Sequence, residues 1–196
     1  MNYRFLALAS FVLFACGDRN PATTETSAVG DTTNNAAYFP VMDFLKSEIA
    51  KVESEPVGIK KFTTSTTVSD SGYIQPEEFR RLASEFLPAA LNDSIFRKQF
   101  KETSFMDKAT GGATFFYNTA NNDLDLKRVD VVTEQTDTYD KIKSIYLEKS
   151  YTKGDSSIVK KLFWKPERNF QVITQVYKKS AAPATELVKV VWDNRE

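Results

Sequence analysis

Apolar positions follow three regimes along the chain, and each predicts a different kind of structure. The first is an unbroken apolar run, Phe5-Leu6-Ala7-Leu8-Ala9-Ser10-Phe11-Val12-Leu13-Phe14-Ala15, behind a short positive start that contains Arg4. It is far shorter than the roughly twenty residues needed to span a bilayer, and it suits the core of an export signal. In the second regime, residues 17–37, apolar positions nearly vanish into Thr, Asn, Ala, Ser, Asp and Gly. Such a stretch buries too little surface to offset its ordering entropy, so a disordered tether is expected. The third regime, from Tyr38 to Glu196, has the length and patterning of one globular domain.

Within that domain the period changes. Val41, Met42, Leu45, Ile49 and Val52 recur at three and four residues and predict a helix over Pro40–Ser54, with Pro40 suited to the first turn. Phe79, Leu82, Ala83, Phe86 and Leu87 repeat the pattern after Pro76-Glu77-Glu78, an acidic helix start. Pro88 ends that helix, and a further turn or two is expected between Asn92 and Phe100. The Thr-rich segment Ile59–Val68 reads as a strand.

Beyond Phe100 the texture becomes β-rich: Phe115–Thr119, Leu124–Thr133, Lys141–Tyr151, Ser157–Lys165, Asn169–Lys178 and Glu186–Asp193. The joints, among them Asn121-Asn122-Asp123, Gly154-Asp155 and Pro166-Glu167-Arg168-Asn169, are turn chemistry. Short joints make sequential antiparallel neighbours. The expected fold is α+β, with N-terminal helices packed on a curved antiparallel β-meander of about six to seven strands. One face of it is expected to carry Ile142, Tyr146, Leu162, Trp164, Val172, Val176, Val188, Val190 and Trp192.

Composition narrows the function. Lys plus Arg and Asp plus Glu number 26 each, so charge makes no case for nucleic acid or an anionic membrane surface. Histidine is absent from the sequence, which removes Ser-His and Cys-His nucleophile pairs and every histidine-ligated metal. No Gly-rich phosphate loop and no Ser-x-x-Lys pattern occurs. The reading is therefore of no catalytic residues, no metal and no cofactor.

Two oxygen-rich stretches read as turns rather than metal sites. With Gly72 at position six of a calcium loop, Glu78 falls at twelve, but positions one, three and five are Thr67, Ser69 and Ser71, without the anionic oxygens calcium requires. That stretch reads as a glycine turn entering a helix. Asn121, Asn122, Asp123 and Asp125 lie between two strand candidates and read as a turn. Aromatic residues offer a different chemistry. Phe116, Tyr117, Tyr146, Tyr151, Phe163, Trp164, Phe170, Tyr177 and Trp192 either stabilise the sheet from within or line a groove for a lipid, glycan or peptide. Tyr146, Trp164, Tyr177 and Trp192 are the candidate ligand-binding set.

The single cysteine, Cys16, closes the apolar run in Leu13-Phe14-Ala15-Cys16-Gly17. One cysteine forms no intramolecular disulfide, and its position needs another explanation. The segment resembles a lipobox, in which the thiol receives diacylglycerol and the signal is cut before the cysteine. The expected organisation is a signal peptide over 1–15, a lipidated cysteine and tether over 16–37, and the domain over 38–196. Several acyl chains, palmitate among them, on one residue would hold the chain durably to a membrane. Gly17 stands where an aspartate often favours inner-membrane retention, so the expected address is the outer membrane, facing the periplasm.

With the lipobox, the segments Tyr73-Ile74-Gln75-Pro76-Glu77-Glu78-Phe79, Lys143-Ser144-Ile145-Tyr146-Leu147-Glu148-Lys149 and Lys160-Lys161-Leu162-Phe163-Trp164-Lys165 resemble uncharacterised lipoproteins of Bacteroidota-type bacteria. The resemblance implies an envelope location and carries over no functional residue besides Cys16. A weaker similarity is to envelope lipid carriers, in which a curved sheet wraps helices around an apolar cavity. The expected function is a non-enzymatic binding or structural module of the envelope. The alternatives are a carrier of a lipid or small apolar ligand between helices and sheet, and then a carboxylate-dependent hydrolase.

Overall fold

A computed structural model describes residues 38–192 apart from 56, 110, 137–139 and 180. The export signal, Cys16 and the tether lie outside the described residues. The elements run α1 (Val41–Ser54), β1 (Lys60–Ser65), β2 (Ser69–Tyr73), α2 (Pro76–Ala83), α3 (Asp93–Gln99), β3 (Lys101–Met106), β4 (Ala113–Asn118), β5 (Leu126–Gln135), β6 (Asp140–Lys153), β7 (Ser156–Lys165), β8 (Asn169–Lys178) and β9 (Ala181–Val191). Short 3-10 turns at Ser84–Phe86 and Ala89–Leu91 join α2 to α3.

The strands form one antiparallel nine-stranded sheet in the order β2-β1-β9-β8-β7-β6-β5-β4-β3. From β4 to β9 it is the expected meander, β3 adds to its β4 edge, and β1 closes against the far end of the chain through pairs such as Thr63 with Val188. The expectation of six to seven strands is thus corrected to nine. The two extra strands, β2 and β3, are the sheet's edges. Their residues, Ser69-Asp70-Ser71-Gly72-Tyr73 and Lys101-Glu102-Thr103-Ser104-Phe105-Met106, are almost all exposed, so neither shows the alternation that marks a half-buried strand. The segment read as a glycine turn is instead β2, paired with β1 from Thr64–Ser69 to Lys60–Tyr73.

Cross-strand pairing assigns the two faces. One row runs Phe115, Val131, Ile145, Trp164, Phe170, Val190 from β4 to β9, and the next runs Tyr117, Val129, Leu147, Leu162, Val172, Val188. This is the inner face. The buried helical residues belong to the same apolar cluster: Val41, Leu45, Ile49 and Val52 from α1, Phe79 and Ala83 from α2, Phe96 from α3, with Phe86 and Leu91 from the turns between. Fully burying a Phe or Leu stabilises by about 1.5–3 kcal/mol, so this seam dominates the stability.

The expected face set is mostly correct, with one correction. Tyr146 lies on the opposite face. Counting by twos from Ile142 reaches Tyr146, but the register shifts between Val132–Ser144 and Thr133–Ile142, leaving Lys143 as an extra residue on β6. That bulge puts Ile142 on the same side as Ile145 and Leu147, and sends Tyr146 outward.

Polar contacts fasten helices to sheet at defined points. The Phe39 N–H donates to the Tyr117 hydroxyl at 3.2 Å, and the Tyr38 hydroxyl donates to the Phe100 carbonyl at 2.8 Å, which fixes the entry into α1. Lys61 on β1 donates to Glu78 in the first turn of α2. In the turn after α2, the Glu85 carboxylate accepts from Lys149 on β6 at 2.8 Å and Lys160 on β7 at 2.6 Å. Burial alone would push the Glu85 carboxyl up, but the two ammonium groups outweigh it and hold its pKa below the usual range.

Candidate functional site

The helices bury into the inner-face cluster and leave the other face of the sheet without a helical layer among the described residues. Strand alternation therefore decides what that outer face presents. The central outer row is Phe116 on β4, Asp130 on β5, Tyr146 on β6, Phe163 on β7 and Gln171 on β8. The next row is Asn118, Arg128, Glu148, Lys161 and Ile173 on the same strands. Arg128 and Asp130 are two apart on β5, and Tyr146 and Glu148 two apart on β6, so both pairs share this side.

These residues form one connected group. The Arg128 guanidinium lies 5.5 Å from the centre of the Phe116 ring and 5.9 Å from that of Tyr146, within cation–π range of both. Its Nε–H donates to Asp130 Oδ1 at 2.7 Å. The Tyr146 hydroxyl donates to Glu148 Oε2 at 2.5 Å, and the Tyr146 and Phe163 ring centres are 4.8 Å apart. Asp130 is nearly buried, whereas Phe163 remains 42% exposed. Partial burial, then the bond to Glu148, pushes the Tyr146 phenol well above its ordinary pKa. At neutral pH it stays protonated, a hydrogen-bond donor and not a base. The group is a platform of flat side chains flanked by fixed polar atoms.

A concave feature lies elsewhere, between α1 and the β7–β8 turn. A cleft of about 290 Å³ is lined by Glu48, Lys51, Val52, Glu55, Val57, Glu167 and Trp192. The turn runs Lys165-Pro166-Glu167-Arg168, with the Arg168 N–H donating to the Lys165 carbonyl at 3.2 Å. Glu167 has φ of 62°, the left-handed region a type II turn demands after its proline. It is held from three sides: its N–H donates to Glu48 at 3.1 Å, and its carboxylate accepts from Lys51 and Lys141, each at 3.2 Å. Those two lysines depress the Glu167 pKa. The cleft's charged groups are thus largely spent on positioning the turn.

The four residues expected to bind a ligand do not converge. Trp164 is fully buried on the inner face, stacked on Phe170 at 5.4 Å and edge-on to Phe86 at 5.1 Å. Trp192 adjoins it at 5.3 Å and touches Phe79 at 5.6 Å. Both indoles belong to the seam between helices and sheet. Tyr177 shares the outer face with Tyr146, since their β7 partners Ser157 and Phe163 have the same parity, but that separation is about 20 Å along the strands. Tyr146 alone lies in the platform. The wider aromatic set of the sequence holds Phe116 and Phe163, whereas Arg128, Asp130 and Glu148 lie outside it. Their signal was available: a charged residue two positions from a charge or an aromatic within a strand shares its face.

No family model, no curated protein and no solved structure matches this chain.

Proposed function

We propose that this protein is a membrane-anchored binding module of the bacterial envelope, non-enzymatic, lipidated on Cys16 and facing the periplasm from the outer membrane, with its sheet curving round the helical layer. The observation that supports a binding role is the outer-face platform, where Phe116, Arg128, Tyr146 and Phe163 form a continuous strip on a side the helices leave open. Its acidic groups are engaged with Arg128 and Tyr146, an arrangement that favours holding over proton transfer. The space between helices and sheet is occupied by the rings of Phe79, Phe86, Trp164, Phe170 and Trp192, so the outer face is the better candidate for a ligand than the interior.

Two measurements test the two halves of this reading. Cys16→Ser is expected to move the protein from the membrane to the soluble fraction; unchanged fractionation would remove the anchor. A photoreactive residue at position 163 is expected to give crosslinks in intact cells where one at Tyr73, on the β2 edge, gives fewer. Equal or absent crosslinking at both would remove the platform as a binding face.

A further inference from the structure

Resting on the reading of the outer face as a binding surface, we infer that its ligand is an uncharged oligosaccharide strand lying across β4 to β7, stacked on Phe116, Arg128, Tyr146 and Phe163. The shape of the strip is the first argument. Neighbouring strands are about 4.8 Å apart, so the row from Phe116 to Phe163 extends about 14 Å, longer than a single sugar ring. Flat side chains in a row suit the C–H faces of successive pyranose rings.

Charge is the second argument. Arg128 and Lys161 are matched by Asp130 and Glu148 within the two outer rows. A nucleic acid strand draws its affinity from cations that neutralise phosphates, and here two carboxylates stand among the rings. The same carboxylates oppose insertion into lipid or an anionic headgroup layer. An uncharged ligand meets none of these penalties.

Hydrogen-bonding capacity is the third. Arg128 is engaged through Nε, Asp130 through Oδ1 and Glu148 through Oε2. A guanidinium has further N–H groups, and Glu148 has a second carboxylate oxygen, which together match a hydroxyl-rich edge that both donates and accepts. An extended peptide fits less well. Strands β4 to β7 are paired on both sides, so their main chains offer no ladder for it to join.

The test is calorimetric titration of the full chain, kept in mild detergent, with chitohexaose and cellohexaose, beside cosedimentation with insoluble chitin and cellulose. At least one of these probes is expected to bind. Phe163→Ala and Arg128→Ala should each weaken it tenfold or more while Tyr73→Ala leaves it unchanged, with thermal melts confirming that all three variants fold. Binding that survives both platform substitutions would overturn the inference, as would no binding of any probe at millimolar concentration. Crosslinks from position 163 to a protein, with no saccharide binding, would overturn the glycan assignment and leave the binding-module reading standing. Neither crosslinks nor saccharide binding would overturn both.

Discussion

Tyr146 and Trp164 sit on adjacent strands yet face opposite sides of the sheet, because Tyr146 pairs with Phe163 while Trp164 pairs with Ile145. Substitutions at the two positions should therefore separate stability from binding. Trp164→Ala removes a fully buried ring from the aromatic seam and is expected to cost about 3–5 kcal/mol in urea unfolding. The Trp164 indole N–H meets no acceptor among the described residues, so Trp164→Phe forfeits no protein hydrogen bond and should cost less than half as much. Tyr146→Ala should leave most of the stability intact, and equal losses at the two positions would contradict the face assignment.

Glu85 links the turn after α2 to two strands, and its depressed pKa makes that link pH-dependent. A carboxyl whose folded pKa lies below its unfolded value stabilises fully above the unfolded value, near 4.3, and loses the effect as pH falls through the folded value. Glu85→Gln should cost about 2 kcal/mol at pH 7. That loss is smaller than for a fully buried pair because the Glu85 side chain is 34% exposed. The difference from wild type should shrink steadily below about pH 4.3 in denaturation curves across pH. A gap that is the same at pH 3 and pH 7 would show that the two ion pairs contribute nothing.

The β7–β8 turn gives a test of backbone strain. A non-glycine residue in the left-handed region costs roughly 1–2 kcal/mol, and exposed ion pairs of the kind Glu167 makes with Lys51 and Lys141 return about 0–1 kcal/mol. Glu167→Gly relieves the first and loses the second, so its stability should stay within about 1 kcal/mol of wild type. Glu167→Val keeps the strain, loses the pairs and adds β-branching, and it should be the least stable of the three by thermal melting.

Edge strand β3 carries Phe105 at 48% and Met106 at 63% exposure, and β4 is its one neighbour in the sheet. An open edge with exposed apolar side chains invites pairing with another strand. Phe105→Lys should lower concentration-dependent self-association measured by light scattering without changing the melting temperature; identical scattering from both proteins would show that this edge is already protected.

Much of the fold was legible because local physics decides it. The three- and four-residue spacing of Val41, Leu45, Ile49 and Val52 requires a helix with one buried stripe, and α1 buries those residues. Pro76, Glu77 and Glu78 mark where α2 starts, and the turn residues after each β-rich run make the meander. The edge strands were not legible: a rim strand whose residues are almost all exposed on both faces has no apolar alternation to detect. The candidate site was legible only in its rings.

By itself the sequence determined the element types, the α+β class, the antiparallel succession from β4 to β9 and the balance of charge, because spacing, turn chemistry and composition act within a few residues. Tertiary structure alone decided that β1 joins β9, that Lys143 is a bulge, and that Tyr146 faces away from Trp164. Each of those outcomes depends on pairing between residues far apart in the chain or on a one-residue register shift. A shift of one residue reverses a strand's faces without altering its composition, which is why the platform at Phe116, Arg128, Tyr146 and Phe163 emerges only once the strands are in register.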